Sequence, residues 1–441
     1  MTARNRELLA LVPASALLTA GFAAIFVQRS DVLSNVSLTY GLIFLGLCFA
    51  AHLVIRFTLP HADPYMFPLV AVLACFGLVV VYRIDEDLAR DQAQWFVIGL
   101  ILFAVTIVAL RDFRVMERYR YTIAFAGLAL LLLPRVPGIG QQVNGAYLGV
   151  KLGPITFQPA EFGKIAIVIF LAAYLRDTRE VMIQGSRRFL GVTIPPLKHF
   201  GPLLVVWGAA MLMLVFIRDL GSSLMYFGAF LALLYIATNR FSFVFVGLLL
   251  FAAGAWFFGT HIGHVHSRVE TWLHPFKPGL IDQTGGSYQI VNGLFAQADG
   301  GLFGTGLGGS LLTLPNGGPL IPAPQTDMIY AVIVNELGLV GACGLIGVYL
   351  LLAERGFKTA TLARDSFSKL LAAGLTAVMA LQVFVIVGGV TRVIPLTGVT
   401  LPFVSYGGSS ILANFVLLAL LLLISDQARR PRGVGATRGL R

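Results

Sequence analysis

Twelve stretches of this chain are apolar enough to sit inside a bilayer: 8–27, 38–57, 65–82, 94–110, 121–134, 161–175, 200–217, 219–238, 241–259, 327–353, 370–390 and 410–425. A hydrocarbon core takes about 20 residues of helix, fewer where neighbours shield the ends. The stretches at 121–134 and 161–175 are short, and the rest approach full length. Inside hydrocarbon every backbone N–H and C=O must find a partner within the protein, so runs of helical length imply helices. The expected fold is therefore all-α, a polytopic membrane helix bundle of about 12 transmembrane helices. Composition agrees: 57% of residues are hydrophobic, 12% are charged, and the mean hydropathy is +0.83. A soluble domain carries about a quarter charged residues.

The net charge of +11 first suggests a nucleic-acid partner. Its placement argues otherwise. An even number of spans puts both termini on one side, and the segments on that side hold 22 of the Lys and Arg residues against 9 on the other. That asymmetry predicts cytoplasmic termini. No aromatic–basic module accompanies the charge, which excludes a nucleic-acid binder. The basic start and apolar run of "MTARNRELLALVPASALLTAGFAAIFV" reads as a retained first helix, since the run is long enough to span and no convincing cleavage pattern follows. Residues 427–441 form a basic tail, expected to be disordered. Cys48, Cys75 and Cys343 each lie in an apolar run and read as small buried hydrophobes.

Three acids open spans that run from the outer to the inner side: Glu161, Asp219 and Asp327. They are remote in sequence, yet this topology puts them at one depth, near the outer boundary. Each sits at a helix N-terminus, where the helix dipole favours an anion. Asp219, in "IRDLGSS", can simply cap its helix. Glu161, in "FQPAEFGK", has Lys164 three residues on, so the pair shares a face. An intramembrane lysine must find a partner. Two readings stay open for it: a structural ion pair with Glu161, or a positive lining for an anionic ligand. Asp327, in "PAPQTDMIYAVIVNELG", has no neighbouring cation in sequence and borders a long external loop, 260–326, which makes it the reactive candidate.

That loop holds 11 glycines between 284 and 318, few charges and several apolar segments. It reads as packed on the membrane surface through short amphipathic helices. "GTGLGG" (304–309) mimics a dinucleotide fingerprint but lacks the strand–helix context. His261, His264, His266 and His274 have no metal-ligand spacing on a helix face, so solvated or interfacial histidines are expected. A second external segment, "GGVTRVIPLTGVTLPFVSYGGSS" (388–410), is rich in Gly, Pro and Ser where a span should begin. Non-helical backbone at that depth must line a cavity or be buried in protein. Arg392 from this segment, with Arg218, Arg268 and Lys164, offers four cations near one boundary. Together they suit a diphosphate.

Six ordered motifs, "FQPAEFGK", "RDLGSS", "YQIVNGL", "GGLFGTGLG", "TDMIYAVIVNELGLVG" and "PLTGVTLPFVSYGGSS", resemble those of the SEDS family (shape, elongation, division and sporulation proteins: FtsW, RodA, SpoVE). The resemblance covers roughly residues 65–425, and "ARDSFSKLLAAG" (363–374) is similar to the actinobacterial RodA branch. It implies a ten-helix core over 61–426, containing the external loop 260–326, with two additional N-terminal helices in 1–60. It further implies a peptidoglycan glycosyltransferase of the cell membrane, serving wall elongation and cell shape. Such an enzyme polymerises lipid II beside a class B penicillin-binding protein that supplies transpeptidation.

By the same resemblance Asp327 is the required acid and general base. Met328 stands where the family has Phe, and His274 where it often has Asp. Lys164 and Arg268, then Arg218 and Arg392, would hold the diphosphate. Glu161, Asp219, Gln158, Thr326, Tyr288, Gln289, Ser405, Tyr406, Gly407 and Gly408 would support them. The metal site is left open: either these cations, or a divalent cation such as Mg or Mn, would stabilise the departing diphosphate. Two rivals remain. A lipid II flippase shares the helices and intramembrane charge, but its site would lie near the midplane. A docking scaffold would not need the acids.

Overall fold

The structure is a computed structural model of the 441-residue chain. It describes residues 2–30, 35–143, 146–153, 155–184, 187–189, 192–194, 219–261, 263–281, 286–314 and 319–431, with Gly201 and Gly208. Most of the predicted span 200–217, together with Arg218 and the tail from 432, lies outside the described residues.

Fourteen α-helices are present among the described residues: α1 (Ala3–Ser30), α2 (Asn35–Thr58), α3 (Met66–Ile84), α4 (Glu86–Ala109), α5 (Val115–Arg118), α6 (Arg120–Leu132), α7 (Pro159–Gln184), α8 (Leu220–Thr238), α9 (Phe241–His261), α10 (Gly263–Leu273), α11 (Tyr288–Gly300), α12 (Ile329–Leu362), α13 (Ser366–Val390) and α14 (Gly408–Arg429). Eight of them, α1 to α4, α8 and α12 to α14, are long and apolar enough to cross a membrane. Helices α6, α7 and α9 occupy three more of the predicted spans. The protein is a polytopic helical membrane protein. Helices α10 and α11 supply the surface helices expected of the long loop.

Helices α13 and α14 form the centre. In their most apolar windows 78% and 83% of residues are buried, against 39% and 33% in α1 and α2. Helix α13 packs on α7, α8, α12 and α14, while α4 lies along α14 and α1 joins the bundle against α3. Local chemistry sets several starts. Asp85 accepts from the N–H groups of Asp87 and Leu88, so α4 begins well before its apolar run at 94. Asp365 caps α13 through Ser368 N–H at 2.9 Å.

Three features differ from the sequence expectation. Strands β1 (Gly140–Val143), β2 (Ala146–Leu152) and β3 (Ile155–Phe157) form an antiparallel sheet between α6 and α7. In the sequence, the Asn-Gly pair at 144–145 was a hairpin signal that the search for apolar runs passed over. A second hairpin pairs β4 (Arg187–Phe189) with β5 (Val192–Ile194). Finally, α12 is broken at Gly338, which has φ +66° and ψ −171°.

Candidate active site

The site gathers at the bundle end where α7, α8, α12 and α14 begin. Asp327 directly precedes α12. Its Oδ1 accepts from Thr326 Oγ1 at 3.1 Å and its Oδ2 from Gln289 Nε2 at 3.3 Å. Gln289 comes from the second residue of α11, and the same amide donates to Pro322 O at 3.2 Å. The next residue, Met328, fills a notch left by Gly293 of α11, where a Cβ would lie 2.2 Å from the methionine Cε. Burial pushes the Asp327 carboxyl up from the usual aspartate range, against the pull of its hydrogen bonds with Thr326 and Gln289 and the charge of Arg268.

The 395–407 segment is non-helical, with Val399 and residues 401–405 buried, as expected of backbone at this depth. Ser405 organises it: its Oγ accepts from Leu401 N–H at 2.8 Å and donates to Thr326 O at 2.6 Å, while Tyr406 N–H donates to Gln325 O at 2.8 Å. Gln92 of α4 completes the cradle, donating to Ser405 O at 3.0 Å and accepting from Gly407 N–H at 3.3 Å. Gly408 lets α14 start flush against Trp95, since a Cβ there would lie 2.4 Å from the indole ring. Tyr406 faces Asp91. The segment reaches below the helix mouths: a Cβ on Gly77 of α3 would meet Val404 O at 2.6 Å, and Gly77 lies about 9 Å along α3 from Arg83.

Lys164, 1% exposed, donates to Glu161 Oε2 at 2.6 Å, Gln382 Oε1 at 2.7 Å and Asn414 Oδ1 at 3.4 Å. These three acceptors match the three protons of an ammonium. The ion-pair reading of Lys164 is the one this geometry favours, and the amine is spoken for before any ligand arrives. Gln382 and Asn414, both fully buried in apolar helices, were missed in the sequence. Polar side chains inside spans were the available signal. Gln382 also donates to Thr400 O at 2.8 Å, tying the ion pair to the buried segment. Gln158 N–H donates to Ser409 Oγ at 2.9 Å, which joins the start of α7 to that of α14.

Asp219 caps α8 through Ser222 N–H at 3.0 Å and Ser222 Oγ at 2.6 Å. Burial raises its carboxyl above the ordinary range. The Ser222 hydrogen bonds and the charge of Arg268 oppose this, and Glu161 adds to it. Arg268 of α10 therefore acts electrostatically on both Asp219 and Asp327, and Glu161 acts on Asp219. The three acids predicted at one level do share one neighbourhood: Arg268 acts on Asp219 and Asp327, while Glu161 acts on Asp219 and is paired with Lys164.

Among the described residues Arg268 makes one side-chain hydrogen bond, to Leu396 O at 2.8 Å. Arg392 is not brought into this group. Its guanidinium donates to Trp272 O at 2.8 Å and Leu273 O at 2.9 Å, so it closes the C-terminus of the helix that carries Arg268. Tyr288 reaches Pro319 O at 3.3 Å, on the loop side of the site. No cluster of three His, Cys, Asp or Glu side chains fit for a metal occurs among the described residues.

The described residues thus form a polytopic helical membrane bundle in which buried acids meet Lys164 and Arg268 where α7, α8, α12 and α14 begin. The family FTSW_RODA_SPOVE, the cell cycle proteins, matches residues 63–430, and the chain belongs to it. The peptidoglycan glycosyltransferase RodA of Mycobacterium tuberculosis is 43% identical over 98% of this chain and 92% of its own, which places the chain in the actinobacterial RodA branch. A solved peptidoglycan synthase complex, described as coordinating polymerization and crosslinking, contains a chain with TM-score 0.66 and 25% identity, covering 84% of this chain and 99% of that one. A variant of the rod shape determining protein RodA of Thermus thermophilus gives TM-score 0.60 and 25% identity over 84% and 99%.

Proposed function

We propose that this chain is a peptidoglycan glycosyltransferase that polymerises lipid II at the outer face of the cytoplasmic membrane, beside a class B penicillin-binding protein. Both termini are cytoplasmic and the Asp327 end of the bundle faces out, as the 22-to-9 distribution of Lys and Arg favours. The wall-elongation role follows the RodA relatives. Residues 1–60 add two helices to the core that begins near 61.

The observation that carries the reading is Asp327: a carboxylate raised by burial, held by two side chains, facing the cation Arg268. Glycan polymerisation joins the 4-hydroxyl oxygen of one sugar to the anomeric carbon of another. The bond from that carbon to the diphosphate oxygen breaks, and polyprenyl diphosphate leaves. An α-linked donor gives a β-linkage, so a single inverting displacement suffices. Asp327 takes the hydroxyl proton, and its raised affinity for protons suits a base working near neutral pH. Arg268 stabilises the departing diphosphate. Lys164 acts at one remove, holding Glu161, Gln382 and through Gln382 the segment that cradles Asp327. A divalent cation, Mg or Mn, would be carried by the substrate's phosphates, since the described residues offer no cluster of three His, Cys, Asp or Glu side chains to hold one.

Purified protein with lipid II in detergent tests the activity, because a flippase has no two leaflets there to connect. Polymer is expected from the wild type and none from Asp327→Asn, at unchanged yield and monodispersity. Full turnover by Asp327→Asn would refute the base assignment.

A further inference from the structure

Beyond the break at Gly338, α12 presents one outward stripe: Leu339, Val340, Cys343, Gly344, Leu350 and Leu351 are all exposed. Their three- and four-residue spacing makes a single exposed apolar face. The first charge on that face is Glu354, and Arg355 beyond it is fixed, 3.9 Å from Asp63 and stacked over the Tyr65 ring. From Leu339 to Glu354 is about 23 Å at the helical rise. A hydrocarbon core is about 30 Å thick. The stripe is short by roughly 7 Å, and any tilt widens the gap.

The gap falls at the Gly338 end, where the turn after α11 stands. Leu339 N–H donates to Gly301 O at 2.9 Å and Val340 N–H to Leu302 O at 3.1 Å. Leu302 is 61% exposed, and Phe303, at 80%, is the most exposed large apolar side chain among the described residues. A second ruler gives the same height. On α3, which packs against α12, Tyr65 to Arg83 spans about 27 Å. Arg83 donates to Gly308 O at 2.6 Å and Ser310 O at 2.9 Å, at the foot of this turn.

The turn is held in place. Gly304, at φ +81°, meets Gly338 backbone to backbone, and a Cβ on Gly304 would lie 2.1 Å from Glu336 O. Glu336, 2% exposed, accepts from Gly308 N–H at 2.9 Å and Ser310 Oγ at 2.5 Å and faces Arg83 Nε at 3.3 Å. Glycine serves close approach here rather than flexibility.

We propose that the Leu302–Phe303 turn is inserted among the phospholipid acyl chains of the leaflet at the Asp327 end, where it makes up the missing length of the exposed apolar stripe on α12 and fixes the height of α11 over the lipid. This assignment stands independently of the glycosyltransferase reading.

The test is environment-sensitive labelling. Cys343 is the exposed cysteine, while Cys48 and Cys75 are buried. In a Cys343→Ser background, Phe303→Cys carries an NBD fluorophore in nanodiscs, without lipid II. Emission is expected to be blue-shifted, to lose most of its intensity to lipid bearing a shallow doxyl group, and to lose little to aqueous iodide. The same label at Lys277→Cys, on the exposed arm, should show the reverse. Iodide quenching at 303, or protection from both quenchers, would overturn the insertion. So would doxyl quenching that appears only after lipid II is added, which would assign the turn to the substrate's tail.

Discussion

Replacing Lys164 with methionine separates the two roles a buried lysine can have. The amine is 1% exposed and Glu161 is 7% exposed, so both charges are out of water. Removing one partner of such a pair leaves the other uncompensated and costs about 3–5 kcal/mol. Here the cost has a second part, because Gln382 Oε1 and Asn414 Oδ1 lose their donor too. Removing both charges is far milder, since the desolvation penalty disappears with them. Lys164→Met should therefore unfold well below wild type in detergent, and Lys164→Met/Glu161→Gln should recover the part due to the uncompensated charge but not the part due to Gln382 and Asn414. Polymerisation should behave differently. The chain Lys164–Gln382–Thr400, then Ser405–Thr326, leads to the residue beside Asp327. The double variant should regain that part of its stability yet polymerise slowly, with kcat lowered more than KM raised. A single variant as stable as wild type would refute the buried pair. Full activity in the double variant would refute the positioning role.

Other perturbations follow from the same geometry. Asp327 must be ionised to act as a base, so activity should fall as pH drops through a range higher than that of an ordinary aspartate. Gln289→Ala removes a bond that favours the carboxylate, so the acid limb of the pH–rate profile should move up further; a downward or absent shift would count against the contact. Because folding raises this pKa, ionised Asp327 weighs against the native state above its unfolded pKa, and Asp327→Asn should raise the thermal midpoint at pH 7. Glu336→Gln leaves Arg83 without its buried counter-charge and should cost about 3 kcal/mol, read as earlier melting and faster amide exchange across 301–310. Gln92→Leu strips the partner from Ser405 O and should cost about 1–3 kcal/mol, with a matching loss of polymerisation.

The apolar runs marked helices because hydrocarbon leaves the backbone no other solution, and eleven of the twelve stretches carry one among the described residues. Helix starts were less legible. Asp85 extends α4 by a cap, a signal outranked by the search for apolar length. The acids at 161, 219 and 327 could be placed together because topology alone sets depth. Which cation joined them could not. Arg268 and Arg392 look alike in sequence, and their fates depend on whether the guanidinium meets acids or the end of a helix. Gln382 and Asn414 escaped notice as single polar residues in apolar runs, yet they complete the coordination of Lys164. The break at Gly338 was also hidden, since a glycine inside an apolar run reads the same in a straight helix.

The 395–407 segment explains why the site is rigid without being helical. A backbone that leaves the helix inside a membrane must have its exposed amides and carbonyls met one by one. Here Gln382 meets Thr400 O, Tyr349 meets Pro402 O at 2.6 Å, Ser405 Oγ meets Leu401 N–H, and Gln92 meets Ser405 O and Gly407 N–H. Apart from Ser405, which lies in the segment itself, the partners come from three different helices, so satisfying the segment also welds α4, α12 and α13 around it. Asp327 is fastened to this weld through Thr326 O and Gln325 O. The constraint that keeps irregular backbone tolerable in lipid is thus the same one that holds the carboxylate in a fixed place, and preorganisation at Asp327 needs no machinery of its own.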